Sequence, residues 1–180
     1  MLDVFFDNPI MLFIFWILLV IWLFRRTSTL NTEVNAQLPL KTPIRSRKID
    51  NHIFLNSAED VYHYLYPLIG NSSVEYFAVL LVNSSNKLVD EILYTNDQRY
   101  SVVGPNPCEL QLYAQESGTN KIFFAHNHIQ EACPEPTEID IHDTNRMIVQ
   151  AQKSGIHIID HVIVTPISWA SMRQNGLLVD

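Results

Sequence analysis

The chain has 180 residues, of which 47% are hydrophobic and 17% charged, and its formal net charge is −7. This length favours one globular domain with a short additional segment, since domains usually have about 100 to 150 residues. The acidic balance disfavours a direct nucleic-acid binder, because such proteins normally present a basic surface to phosphate groups.

The first predicted element is a transmembrane anchor within residues 1–26. Residues 9–24 contain no charged side chain, and extension back to residue 5 gives about 20 residues, enough to cross a bilayer. A cleaved signal peptide is the alternative, but it requires a positive leader, whereas Asp3 precedes the apolar run. Arg25 and Arg26 follow the run, so the positive-inside rule predicts a single-pass membrane protein with its N-terminus outside and its C-terminal domain in the cytoplasm.

A basic linker, residues 27–50, is predicted to join this anchor to a domain at residues 51–180. The linker mixes Thr, Ser, Asn and Pro with Lys and Arg and shows no apolar periodicity. Its positive charge predicts contact with anionic lipid head groups beside the anchor.

Helix and strand patterns then alternate along the domain. The predicted helices are 58–69, 107–117 and 137–154, and the predicted strands are 75–82, 87–95, 121–128 and 156–165. A last hairpin is expected within residues 168–180, around Asn175-Gly176. This alternation predicts an α/β fold, a mixed β-sheet flanked by helices.

The most informative motif is His126-Asn127-His128, at the end of an apolar strand. Side chains two residues apart in a strand face the same way, so both imidazoles can bind one ion. After a proline-containing loop, Thr137 is a predicted N-cap and Asp140 lies in the first helical turn, where its carboxylate can face back toward the strand end. Two His and one Asp leave a fourth tetrahedral position for water, which is typical of a catalytic zinc site. A pair of surface histidines is the simpler alternative.

Together these motifs resemble the RadC-like branch of the JAMM (JAB/MPN) metalloproteins. The resemblance rests on the His-Asn-His run, a Pro-Glu-Pro loop, the pattern Thr137-x-x-Asp140 and the pattern Gly155-Ile156-x-x-x-Asp160-His161. It covers residues 51–180 and implies a JAB/MPN-like fold. The three consecutive letters H-N-H are unrelated to the HNH nuclease motif, whose residues are spread over some tens of positions.

The resemblance also implies a role for each site residue. His126, His128 and Asp140 correspond to the zinc ligands, and Glu75 matches the upstream catalytic acid, which accepts a proton from water. Thr137 stands where the family has Ser, a hydrogen-bond donor to the developing oxyanion. The implied activity is that of a zinc metallopeptidase or isopeptidase, which hydrolyses an amide bond in a protein or peptide substrate with a metal-activated water.

Departures from the family pattern favour an alternative, a catalytically weak or inactive metal-binding interaction module. Eight residues separate His128 from Thr137 where the family has seven, and Ile129-Gln130-Glu131 replaces the usual Pro-Ser-Gly. A DNA-repair-associated role of RadC type is a third hypothesis. It is disfavoured because the apolar segment stands where RadC proteins carry a helix-hairpin-helix DNA-binding region. A homodimer is left open.

Three further residue types in the domain have simple structural interpretations. Asp160 and His161 point to opposite faces of their strand, and Asp160 either supports a metal-binding His from behind or is a satisfied structural group. Cys108 and Cys133 are expected to be free thiols.

Overall fold

A computed structural model of the protein describes residues 42–45, 49, 52–95, 104–129 and 133–179. Its strands are β1 (Thr42–Arg45), β2 (Tyr76–Val82), β3 (Leu88–Thr95), β4 (Lys121–Asn127), β5 (His157–Val164) and β6 (Trp169–Ser171). Its helices are α1 (Ala58–Leu65), which continues as a π-helical turn (Tyr66–Gly70), α2 (Pro107–Ser117) and α3 (Glu138–Gln152). The strands form one sheet in the order β1-β3-β2-β4-β5-β6, which confirms the predicted mixed α/β sheet with flanking helices.

Local capping signals determine where the three helices begin. Ser57, Asn106 and Thr137 each accept a hydrogen bond from the backbone N–H three residues later. In each case the acidic side chain at that later position accepts from the backbone N–H of the cap, which completes a capping box. Gly118 ends α2 in the left-handed conformation, with φ of 68°, where a residue with a Cβ would be strained.

The middle of the sheet combines antiparallel and parallel pairing. β4 lies between β2, to which it is antiparallel, and β5, to which it is parallel. Two parallel strands need a crossover connection, and α3 supplies it. The β4–β5 register is irregular at one point. Ile122 pairs with Ile158, but the next residue, Phe123, pairs with Asp160. Ile159 is therefore an extra residue in β5.

The two faces of the sheet are buried under different helices. Side chains that pack on the α1 side include Ala78, Leu80, Phe123 and Ala125. Side chains that pack on the α2 and α3 side include Phe77, Val79, Ile122 and Phe124. Because side chains alternate along a strand, His126 continues the row that faces α2 and α3.

Two features of the chain differ from the sequence-based expectation. Part of the predicted linker, residues 42–45, forms β1, which pairs antiparallel with β3. The last hairpin lies earlier in the chain than predicted. It is formed by β5 and β6, which pair antiparallel. Gly176, with φ of 68°, lies in a turn after β6, and no strand follows it in the described residues. The first difference arises from pairing with a strand about fifty residues away, which local composition does not reveal; the second arises from a short turn between β5 and β6.

The predicted location, a single-pass membrane protein, is contradicted by the helices of the structure. Within the described ranges, no helix is both long and apolar enough to cross a bilayer. The longest of them, α3, has 15 residues and carries an exposed ion pair between Asp143 and Arg146, whereas a crossing needs about 20 apolar residues. The predicted anchor, residues 1–26, lies outside the described residues, as does the linker except for residues 42–45 and 49.

Candidate metal centre

The two histidines of the His-Asn-His motif lie where the central strand β4 ends. His126 is the penultimate residue of β4, and His128 follows its last residue. The backbone N–H of His128 donates to the carbonyl of Val164 at 2.9 Å, so the chain is still held against β5 at this point. Both imidazoles are largely buried, with 8% and 7% of each residue exposed. The strand end therefore presents two imidazoles in a confined setting.

The third donor residue, Asp140, is acidic and belongs to the capping box of α3. The backbone N–H and the hydroxyl of Thr137 both donate to Asp140 Oδ2, at 2.8 Å and 2.7 Å. The backbone N–H of Asp140 donates in return to Thr137 Oγ1 at 3.2 Å. These bonds hold the Asp140 carboxylate at the helix N-terminus, where the helix dipole also stabilises a negative charge.

The donor atoms of the three residues are spaced close to the edges of a tetrahedral metal site. Metal bonds of ~2.0–2.2 Å in such a site place neighbouring donors roughly 3.3–3.6 Å apart. Asp140 Oδ1 lies 3.5 Å from His126 Nε2, and Asp140 Oδ2 lies 3.6 Å from His128 Nε2. The two Nε2 atoms of His126 and His128 lie 3.0 Å apart, slightly closer than those edges. The predicted triad therefore comes together and could hold a metal ion, despite the eight-residue loop.

The electrostatics of the site favour a charged Asp140 carboxylate and a neutral His161. Burial tends to raise the pKa of Asp140, but hydrogen bonds from His126, His128 and Thr137 outweigh it and hold that pKa well below its usual value. Burial lowers the pKa of His161, and the nearby charge of His126 lowers it further. His161 is therefore neutral, and Asp140 is ionised, as a metal ligand must be.

Two residues that sequence reasoning did not assign to the site lie behind His126. His126 Nδ1 is 2.8 Å from His161 Nε2, and His161 Nδ1 is 2.6 Å from the hydroxyl of Thr144, in α3. His161 lies in β5, 35 positions after His126, so no short motif joins the two. The available signal was the place of His161 in the Asp160-His161 pair, which belongs to the family pattern.

Asp160, for which a supporting role or a structural role was predicted, has contacts that fit the structural one. Its Oδ2 accepts a short hydrogen bond from the hydroxyl of Ser171 in β6. Its Oδ1 accepts from the backbone N–H groups of His161 and Arg173, at 2.7 Å and 2.9 Å. The carboxylate thus joins β5 to β6 and to the turn that follows.

The remaining predicted residue, Glu75, lies one position before β2, the other neighbour of β4. The buried side chain of Asn127 contacts the backbone on both sides of Glu75. Its Oδ1 accepts from the N–H of Tyr76 at 2.7 Å, and its Nδ2 donates to the carbonyl of Val74 at 3.1 Å. The middle residue of the His-Asn-His motif therefore fixes the backbone of Glu75 relative to the two histidines.

Comparison with known proteins gives one consistent result. The sequence profile of the family described as RadC-like JAB domain matches residues 55–177. A UPF0758 protein of Pseudoalteromonas translucida is 29% identical over 147 residues, which are 81% of this chain and 64% of that protein. UPF0758 proteins of Symbiobacterium thermophilum and Carboxydothermus hydrogenoformans are 30% and 32% identical, over 66% and 69% of this chain and 50% and 54% of their own lengths. The chain thus spans less than two thirds of these relatives, and their names state no activity.

The triad predicts that metal binding depends on Asp140. The Asp140→Ala variant should lose near-stoichiometric metal in elemental analysis of the purified protein, because one of three donors is removed. Asp60→Ala is the matched control, since it removes the same capping acid from α1 and costs about 1 kcal/mol of stability without touching the triad. If Asp140→Ala retains as much metal as Asp60→Ala, the triad does not bind the metal.

The contacts of Asp160 predict a loss of stability without a loss of metal. Asp160→Asn should lower the free energy of unfolding by about 2 kcal/mol, because a buried charged acceptor of several hydrogen bonds is lost. Urea denaturation measures the change, and the more exposed Asp143→Asn serves as control. Loss of metal in Asp160→Asn at full stability would contradict this structural role.

Proposed function

The chain belongs to the RadC-like JAB domain family, and from this membership and the geometry of its site we propose that it is a zinc-dependent metallopeptidase or isopeptidase of the JAMM type. The observation that carries the proposal is the cluster of His126, His128 and Asp140, whose donor atoms all lie within 4.8 Å of one another. The substrate class is an amide bond in a protein or peptide.

Zinc is the metal that best fits this set of donors. Two imidazoles and one carboxylate are typical ligands of catalytic zinc, and three protein ligands leave one tetrahedral position open. A zinc ion bound there would supply an activated water near neutral pH and would polarise a substrate carbonyl. Burial of the two imidazoles favours both effects, since electrostatic interactions are stronger where bulk water is excluded.

Glu75 is proposed as the general base that accepts the proton of the attacking water. In the β2–β4 register Phe77 pairs with His126, and Glu75 lies two residues before Phe77 as His128 lies two residues after His126. Continued by two residues, this antiparallel register would set Glu75 opposite His128 and on the same face. From there a partly exposed carboxylate would be able to pass the proton on to the departing amine.

Thr137 was predicted to donate to the oxyanion, and that role stays a prediction. Its hydroxyl donates to Asp140 Oδ2 at 2.7 Å, so its role in the described conformation is to hold a ligand. Donation to an oxyanion would require a rotation about χ1 away from this bond. The commitment of the hydroxyl to Asp140 supports the second candidate function, a metal-binding interaction module with weak or no turnover.

Replacement of Glu75 separates these two functions. Glu75→Gln should lower kcat/KM on a responsive peptide or isopeptide substrate by about 10²- to 10⁴-fold, because general-base catalysis is lost, while the zinc content stays unchanged. Glu138→Gln is the control, since Glu138 is an exposed acid in the first turn of α3. Turnover of the zinc-loaded Glu75→Gln variant at the wild-type rate would exclude Glu75 as the base. Wild-type zinc protein that cleaves no member of a peptide and isopeptide library would favour the interaction module.

The side chain of Asn127 makes two hydrogen bonds to the backbone on either side of Glu75. Their removal is predicted to cause a milder catalytic defect than the loss of Glu75 itself. Asn127→Ala should lower kcat by about 10- to 100-fold, because small displacements of a catalytic group are costly, with zinc affinity unchanged. Asn145→Ala is a matched control, since the Asn145 side chain likewise donates to a carbonyl, that of Leu177, and accepts from the N–H two residues later, that of Val179. Equal activity in the two variants would show that the hydrogen bonds of Asn127 do not position Glu75 for catalysis.

A further inference from the structure

Three side chains form a buried hydrogen-bonded row that leads away from the metal centre. His126 directs Nε2 toward the triad and Nδ1 toward His161, and His161 directs its other nitrogen toward Thr144. His161 is 2% exposed and Thr144 is 1% exposed. No bulk water reaches these contacts, so each group depends on its neighbour for a hydrogen bond.

The ring of His161 is held in one orientation by its surroundings. It packs edge-on against Phe77 and Phe124, with ring centroids 5.4 Å and 6.0 Å away. It also meets the ring of His126 at 69°. A flip of this imidazole would break both of its hydrogen bonds inside a packed site, so the position of its proton determines what it offers to His126.

The row admits only one proton order in which His126 can bind a cation. A neutral imidazole has one N–H donor and one acceptor nitrogen. If His126 uses Nε2 on a cation, its proton is on Nδ1 and is donated to His161 Nε2. His161 then carries its own proton on Nδ1 and donates it to Thr144 Oγ1.

Thr144 is able to complete this order. Its hydroxyl oxygen carries two lone pairs and can accept the Nδ1–H of His161. The reverse order would place a proton on His126 Nε2 and block the metal. Metal-binding histidines are commonly held by a carboxylate or carbonyl, but the nearby carboxylate, Asp160, is engaged with Ser171 and Arg173.

We infer that His161 and Thr144 are positioning residues for the metal, and that the Thr144 hydroxyl, by accepting the His161 proton, supports the His126 tautomer whose Nε2 is available to a cation. The inference rests on the proposed function only for the presence of a metal site. It does not require hydrolysis.

Substitution at Thr144 tests the inference with a measurement that is independent of turnover. Thr144→Val is nearly isosteric but lacks the hydroxyl, and Thr144→Ser keeps it. We expect the zinc dissociation constant, measured by competition with a chromophoric chelator, to rise about 10- to 100-fold in Thr144→Val and to stay within about threefold of wild type in Thr144→Ser. An unchanged constant in a folded Thr144→Val variant, or an equal rise in both variants, overturns the inference.

A second pair of variants and a spectrum of the wild-type protein test the same inference if Thr144→Val fails to fold. His161→Gln offers an amide oxygen to His126 Nδ1 and should bind zinc at least tenfold more tightly than His161→Leu, which offers no acceptor. In the zinc-loaded wild-type protein, two-bond ¹H–¹⁵N correlation should show protonated Nδ1 in both His126 and His161. A proton on His161 Nε2 overturns the inference without recourse to any variant.

The outcomes also distinguish this inference from the proposed function. A wild-type protein that binds no zinc overturns the metal centre as a whole. Tight zinc binding that is insensitive to Thr144 and His161 overturns only the positioning role. Zinc binding that depends on both residues in a protein without hydrolytic activity supports the positioning role and removes the peptidase proposal.

Discussion

The parallel pairing of β4 with β5 is the constraint on which the rest of the site depends. A parallel neighbour cannot be reached by a tight turn, so the chain must leave the end of β4, cross the sheet as α3 and return. The helix that makes this crossing begins beside the strand end that carries His126 and His128. The same pairing sets Phe124 next to His161, so the strand that completes the crossover also supplies the group behind His126.

The capping box of α3 links the stability of the fold to the chemistry of the site. Thr137 and Asp140 satisfy backbone donors that the first turn of a helix leaves without partners. The carboxylate is partly buried, with 23% of the side chain exposed, and its contacts with two imidazoles keep it ionised. One side chain therefore starts the helix and completes the cluster of donors. The orientation of Asp140 is set by hydrogen bonds within the helix start.

Features encoded by neighbouring residues could be predicted from the sequence, whereas features that depend on distant pairing could not. Ser57, Asn106 and Thr137 were recognisable as caps because the acid three residues later completes the same motif. The His-x-His spacing and the capped Asp140 likewise predicted the triad. The pairing of residues 42–45 with β3 and the contact between His126 and His161 depend on register between remote segments. Glu75 could be selected only through the family resemblance, since its spacing to the triad follows no local rule.

The bulge at Ile159 in β5 determines which polar group stands behind His126. Because Ile159 is passed over in the pairing, Phe124 pairs with His161; if Ile159 paired with Phe123, Phe124 would instead pair with Asp160. A one-residue change of register moves every later side chain to the opposite face. Loss of this bulge with every residue retained would therefore exchange an imidazole for a carboxylate behind His126 and would add a negative charge there, whereas deletion of Ile159 would leave His161 in place. The bulge in β5 thus decides, together with the identity of the residues, which side chain stands behind His126.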